Sequence, residues 1–298
     1  GNLWAFPYKM GKTGGFAFLI LYLILVALVG VVGMLGEFAL GRKTGKGAGG
    51  AYAALGKKYS FIGWMAVISP FLILSFYAVL GGMVLRYCLG FLVQIFGADG
   101  FAGQGSGFFG WLLYSGQSMI LFFALFLACT MAIVMGGVQG GIEKFSKAVM
   151  PALGIILIGI IIFVAMQPGA LEGYKFMFKP DMSLFSNPGS FFDVLKTASG
   201  QVFFSLSMAM GINITFGSYL DKQKSLQKNA VIVPLFDTIF AVLAGMMILP
   251  ACAAFHVACC LPPCRRSSWT AWAARPATSS ASCSTSWSLS PPSPPPSP

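Results

Sequence analysis

Histidine occurs once in this sequence, as His256, and aspartate and glutamate together occur only 8 times in 298 residues. Charged residues of both signs make up 9% of the chain, against roughly 25% in a soluble domain. So little charge cannot wet a globular surface, which excludes a water-soluble fold. The apolar stretches run continuously and do not alternate with polar residues, which excludes a β-barrel. No nucleophile–base pair stands at a readable spacing, so an enzyme is not expected. His256, Cys259, Cys260 and Cys264 match no standard zinc spacing, and no later histidine completes one. No signal peptide precedes the first apolar run and the chain does not begin with Met, so Gly1 is read as lying inside a longer protein.

What is present is apolar: 57% of residues are hydrophobic, and 19 Lys and Arg leave a net charge of +11. The basic residues sit in short connections beside apolar runs, the positive-inside pattern, and this accounts for the charge without nucleic acid. The expected class is an all-α polytopic membrane protein, with the lipid bilayer as its surroundings.

A hydrocarbon core of ~30 Å takes about 20 residues of helix. Gly1–Lys12 is too short to span, and Pro7 disfavours a helical residue at Phe6, so this piece reads as a half-helix or a helix entry. Apolar spans follow at Thr13 to about Leu40, Phe61–Ile95, Trp111–Met135, Ala148–Gln167, Thr197–Leu220 and Asn229–Phe255. The cytoplasmic connections carry Arg42, Lys43, Lys46, Lys57 and Lys58, then Lys144 and Lys147, then the Lys residues of Asp221–Lys228. Phe96–Gly110 and Pro168–Pro188 read as exterior loops. Gly45–Gly50 fits G-x-G-x-x-G, but no strand precedes it and it reads as a flexible loop. Cys88 and Cys129 lie in apolar runs and read as inert packing residues.

Residues 1–255 form the expected membrane domain. The remainder, 256–298, has no acidic residue and no membrane-length apolar run, and ends in Ser and Pro. It reads as out-of-frame sequence beginning after about Ala253, with a disordered low-complexity tail as the alternative.

Polar groups enter the membrane at Gly1-Asn2, in Ser205–Gly211 and at Asp237. An unpaired polar group at this depth costs several kcal/mol, and a charged one at the centre about 2.5–3.5 kcal/mol on insertion scales. Asp237 is either a snorkelling residue or a functional one. Ser205 and Ser207 either bond their own helix at i−4 or line a polar break. Glu37 is either a brace for an unwound segment or an interfacial carboxylate paired with Arg42 or Lys43. Tyr77 either bonds a neighbouring helix or presents its hydroxyl to a ligand. The residues alone leave these choices open.

A resemblance bears on them. Gly1-Asn2-Leu3-Trp4-Ala5-Phe6-Pro7-Tyr8 followed by Gly14–Leu19, then Glu37–Arg42, Ser75-Phe76-Tyr77, Phe203–Ser218, and Asp237-Thr238 through Pro250 resemble, in order, the first, second, third, sixth and seventh spans of bacterial neurotransmitter:sodium symporters. The resemblance runs from Gly1 to about Ala253. It implies a LeuT-like inverted-repeat fold, incomplete and covering about spans 1b to 7, whose first and sixth spans unwind near the midplane. It implies sodium-coupled symport of an amino acid or related small amine across a bacterial cytoplasmic membrane. Alternatives are a sodium-dependent binding or sensing protein that does not transport, and a non-functional frameshifted product.

Carried over, the resemblance places Gly1, Tyr77, Phe204, Ser205, Ser207 and Met210 at the substrate, with Tyr77 on its carboxylate and Phe204 as a lid. It places Asn2, Ser205 and Asp237 at sodium, and Glu37 as the support of the unwound sixth span. Asp237 supplies a negative charge of its own, so chloride is not expected to be required; one turn of slip would put Ala241 there instead. The methionines Met208 and Met210 suggest an apolar substrate side chain. Ala5 departs from the pattern, since the family usually has an outer-gate Arg there; Lys9, one turn on, is the candidate replacement. No organic cofactor is implied. The second sodium site draws on parts of the family pattern that this chain does not contain.

Overall fold

The computed structural model describes residues 1–96, 116–180, 188–220, 223 and 225–255. The expected tail, Trp111–Ser115 and most of the first exterior loop lie outside the described residues, which all belong to one compact unit within 1–261. The described residues carry helix and no strand.

Helix α1 is Ala5–Thr13. Phe6 is helical despite the following proline, because Pro7 sits in the first turn, where its missing N–H would have no intrahelical partner. Gly14 and Gly15 break the chain, and α2 (Phe16–Leu25) runs through a π turn at Val26–Gly30 into α3 (Val31–Thr44). The next segment differs from expectation. The Gly-rich connection folds into α4 (Ala48–Leu55), begun at Gly47, because Ala48, Ala51, Ala53 and Ala54 are strong helix formers that carry Gly49 and Gly50 with them.

The long helix α5 spans Ser60–Ile95. Then come α6 (Gly116–Met135), a π turn at Val138–Glu143 and α7 (Lys144–Ala165). The second exterior loop is not wholly irregular. It contains α8 (Ala170–Phe178), whose buried Ala170, Gly173 and Met177 share one face at helical spacing. The sixth span starts earlier than its charge-free core, as α9 (Pro188–Ser205), stops, and resumes as the short α10 (Ile212–Ser218). Helix α11 (Leu226–Ala254) closes the described chain, its N-cap Ser225 accepting from Lys228 N–H.

The core lies among α1, α2, α3, α8, α9 and α11. Phe6, Phe18 and Tyr22 meet as aromatic pairs with centroids 5.0–6.2 Å apart. Met208, expected in a substrate pocket, packs into this core instead: a Cβ on Gly33 would strike its terminal methyl. Helices α3 and α10 approach backbone to backbone. A Cβ on Gly41 would collide with Ile214 O, and one on Gly217 would lie 2.7 Å from Phe38 O. That contact anchors the short α10, which seven residues of helix could not sustain alone.

Helices α5, α6 and α7 turn large apolar faces outward. Cys88 and Cys129 lie on those faces, exposed; the expectation that they pack inside is not met. Four described helical stretches, Phe16–Thr44, Lys57–Val93, Gly140–Ala165 and Leu226–Ala254, are long and apolar enough to cross a membrane.

Candidate functional site

The break between α9 and α10 is the centre of the site. Ser207 (φ 52°) and Ala209 (φ 62°) both occupy the left-handed region, an uncommon conformation for residues other than glycine. The strained backbone is held from three directions. The Glu37 carboxylate on α3 accepts the Ala209 N–H at 2.6 Å. Asn213 on α10 donates to Leu206 O at 2.9 Å and to Ser207 O at 3.5 Å. Gly211 (φ 70°) ends the break, and a Cβ there would collide with Ala48 and lie 3.2 Å from Ala66 O. Pro70 has no N–H for the i−4 carbonyl, which is that of Ala66, so this carbonyl loses its helical donor where α5 passes the break.

Three oxygens converge beside the break. Ser205 Oγ lies 2.6 Å from Asn2 Oδ1 and 2.5 Å from Asp237 Oδ2. Asn2 Nδ2 donates to Asp237 Oδ1 at 2.6 Å and to Asp237 O at 3.2 Å. A hydroxyl carries one proton, so Ser205 donates to one of its two neighbours at a time. The result is a group of hard oxygen donors with one formal negative charge, the donor chemistry that suits a small alkali or alkaline-earth cation. Ser205 thus reaches across to the entry of α1 and to α11 and does not bond its own helix. By contrast, Thr197 and Ser199 on the same helix do bond at i−4, to Asp193 O and Leu195 O.

A second group adjoins the first through Gly1-Asn2 and Phe204-Ser205. The Gly1 terminal amino group donates to Tyr77 Oη at 3.1 Å, and the Tyr77 and Phe204 rings stack with centroids 6.3 Å apart. A Cβ on Gly1 would lie 3.5 Å from the Phe204 ring. At the α10 end of the break, Met210 and Gly211 line a cavity of about 380 Å³ with Gly47, Ala48, Ala66 and Pro70. Lys9 stands on α1, half-buried, and has no carboxylate partner among the described residues.

Three residues here escaped the sequence reading. The Tyr22 hydroxyl lies beside Ser205, Thr238 and Asp237. Gln201 is fully buried one turn before Ser205. The Tyr22 hydroxyl, the Thr238 hydroxyl and both side-chain polar atoms of Gln201 are buried without a hydrogen-bond partner among the described residues. Buried groups of this kind are the ones that ordered water or an ion satisfies. The available signal was a glutamine inside the charge-free part of the sixth span, four residues before Ser205.

Comparison with known proteins places this geometry. The model of the sodium:neurotransmitter symporter family matches residues 1–97 and 115–256. A sodium-dependent transporter of Haemophilus influenzae is 35% identical over 268 residues, covering 86% of this chain and 58% of that protein. The inactive sodium-dependent neutral amino acid transporter B(0)AT3 of Homo sapiens is 30% identical over 275 residues, covering 83% of this chain and 43% of that protein. The crystal structure of MhsT in complex with L-phenylalanine superposes with a TM-score of 0.78 at 39% identity, covering 88% of this chain and 59% of that one. The chain therefore spans about half the length of the relatives it matches. With a family model across most of its length and this structural likeness, the chain belongs to the sodium:neurotransmitter symporter family and has its LeuT-like fold.

Proposed function

We propose that this chain carries the binding centre of a sodium-coupled symporter for a neutral, apolar amino acid in the cytoplasmic membrane of a bacterium. The observation that supports this most is the contiguity of two groups. The oxygens of Asn2, Ser205 and Asp237 adjoin the Gly1–Tyr77–Phe204 cluster through neighbouring residues on both α1 and α9.

Sodium is a co-substrate held by Asn2, Ser205 and Asp237. The substrate carboxylate lies between Tyr77 Oη and the Gly1 backbone, close enough to touch the ion as well, so each ligand strengthens the binding of the other. Phe204, stacked on Tyr77, is the lid. Ser207 and Met210 shape the side-chain pocket, and methionine adapts to apolar side chains of different shape. Glu37 holds the unwound segment open by accepting the Ala209 N–H. Each sodium ion carried inward adds about 2.3 kcal/mol per 100 mV to the driving force. Because Asp237 already contributes a negative charge, chloride is not required. Lys9 stands in for the missing outer-gate arginine.

The test is sodium-driven uptake of radiolabelled phenylalanine and leucine into proteoliposomes containing the full-length protein. Uptake that collapses when choline replaces sodium supports symport. Sodium-dependent binding without uptake favours a binding or sensing protein. No sodium-dependent binding of any neutral amino acid would overturn the assignment.

A further inference from the structure

Helix α9 ends in a Schellman motif. The Met208 N–H donates to Phe203 O at 3.0 Å, and the Ser207 N–H to Phe204 O at 3.4 Å. The residue that turns the chain in such a motif is usually glycine, because it must enter the left-handed region. Here it is Ser207, at φ 52°. The carbonyls of Leu206 and Ser207 lie past the last helical turn and find no helical donor ahead of them. Asn213 takes both: its Nδ2 donates to Leu206 O at 2.9 Å and to Ser207 O at 3.5 Å.

Asn213 is buried, in the first turn of α10. It reaches back across the break and does not cap its own helix, where Gly211 stands at the cap without a side-chain bond. Its fixed base is α3, because Gly41 and Gly217 bring α3 and α10 into backbone contact. Met208 rests on Gly33 and Ala209 is held by Glu37, both also on α3. Successive residues of the break, 207–209, are thus positioned from one helix, the first of them through Asn213. Ser205 is held differently. It lies within α9, before the turn, and its hydroxyl meets Asn2 and Asp237. The left-handed turn and the ion group therefore have separate supports.

We propose that Asn213 is a positioning residue for substrate specificity: it holds Ser207 in the left-handed conformation and so sets one wall of the side-chain pocket, without acting on the sodium group. This role rests on the reading of Ser207 as a pocket residue of a sodium-coupled symporter. An apolar side chain at position 213 leaves two buried carbonyls unpaired and frees Ser207 to relax. A bulky substrate side chain reaches that wall and the methyl group of alanine does not, so the two substrates feel the change differently.

The experiment uses the full-length protein in detergent. Labelled leucine is displaced by phenylalanine or by alanine in saturating sodium, and radioactive sodium is bound in the absence of amino acid. Asn213→Leu should weaken phenylalanine about tenfold and leave alanine nearly unchanged. Sodium alone should bind as in wild type. Asn213→Ala should give the same split, and carries the test should the leucine variant not fold; a thermal midpoint checks each variant. In a Ser207→Gly background, glycine takes the left-handed region without strain. Adding Asn213→Leu there should change the ratio of the two affinities much less than it does in wild type. The proposal is overturned if the Asn213 variants leave that ratio unchanged. It is also overturned if they weaken sodium alone and both amino acids alike, the mark of a merely structural role. A ratio that shifts as much in the Ser207→Gly background overturns it too, because Asn213 would then act by another route than Ser207. Wild type that binds neither amino acid in sodium would overturn the symporter reading itself, and this role with it.

Discussion

Ser205 Oγ lies 2.6 Å from Asn2 Oδ1, although 203 residues of chain separate them. The contact joins the entry to α1 to the end of α9. Asp237 on α11 completes it, so three elements distant in sequence share one hydroxyl proton. Each element contributes too few polar atoms to hold an ion by itself, and together they offer several.

Removing the charge from this group tests its role directly. Asp237→Asn keeps the shape and loses the anion. Charge-assisted hydrogen bonds contribute about 1.5–3 kcal/mol, so apparent sodium affinity should fall roughly 10–100-fold. If the carboxylate also takes the place of chloride, substrate binding by the variant should become stronger in sodium chloride than in sodium gluconate. Wild type should bind equally in both. A variant with unchanged sodium titration removes Asp237 from the ion site.

Glu37 should matter through the backbone it holds. Glu37→Ala leaves the Ala209 N–H without its acceptor and should cost about 1–3 kcal/mol, seen as a lower thermal midpoint in detergent and weaker substrate binding. Glu37→Gln keeps an oxygen in place and should recover most of the loss. Equal damage from both variants would mean that the charge, not the hydrogen bond, is what counts.

Tyr77→Phe removes only the hydroxyl that accepts from Gly1 and keeps the ring that stacks on Phe204. One hydrogen bond, at about 0.5–1.5 kcal/mol, translates into roughly a two- to tenfold loss of substrate affinity with little change in stability. Equilibrium binding across a sodium series checks this. A large drop in thermal midpoint would instead assign Tyr77 a packing role.

Gly211→Ala puts a Cβ into Ala48 at a position where φ is 70°. Overpacking at a close contact costs about 1–3 kcal/mol, and the left-handed backbone adds strain. The thermal midpoint should fall accordingly. Combining it with Ala48→Gly, which clears the clash and leaves the strain, should restore part of the loss.

Lys9→Ala tests the outer-gate substitution. Closure of the outer side, followed by a fluorophore on α1, and substrate affinity should both decline. If neither changes, Lys9 has no part in gating.

Much of the fold was legible in the residues themselves. Low charge, continuous apolar runs and basic connections determine a helical membrane protein, because a bilayer leaves no other way to satisfy the backbone. The run from Ser205 to Gly211 posed a choice between a packed helix and a break, since hydroxyls and glycine at mid-depth are costly in a plain span, and the family resemblance pointed to the break. Local chemistry explains the misreadings. Alanines after Gly47 make a helix where glycines suggested a loop, and Ala170, Gly173 and Met177 make one inside a segment read as polar.

The direction of a side chain from the unwound segment is a different matter. Met208 and Met210 are two residues apart in a stretch with no regular period, so no periodicity sorts core from cavity. Only packing against Gly33 sends Met208 inward, and only α4 and α5 give Met210 its cavity wall. The same holds for Tyr22, Gln201 and Thr238, each of which reads as an incidental polar residue in an apolar run. Tyr22 and Thr238 come beside Asp237, and Gln201 is buried, because α2, α9 and α11 share a core that includes Phe18, Val202 and Ala241, contacts that span the whole chain. Composition and spacing therefore determined the class and the spans, and the family resemblance supplied the place of the break. Tertiary structure alone decided which polar atoms meet there, because each meeting joins residues whose distance along the chain carries no information about their distance in space.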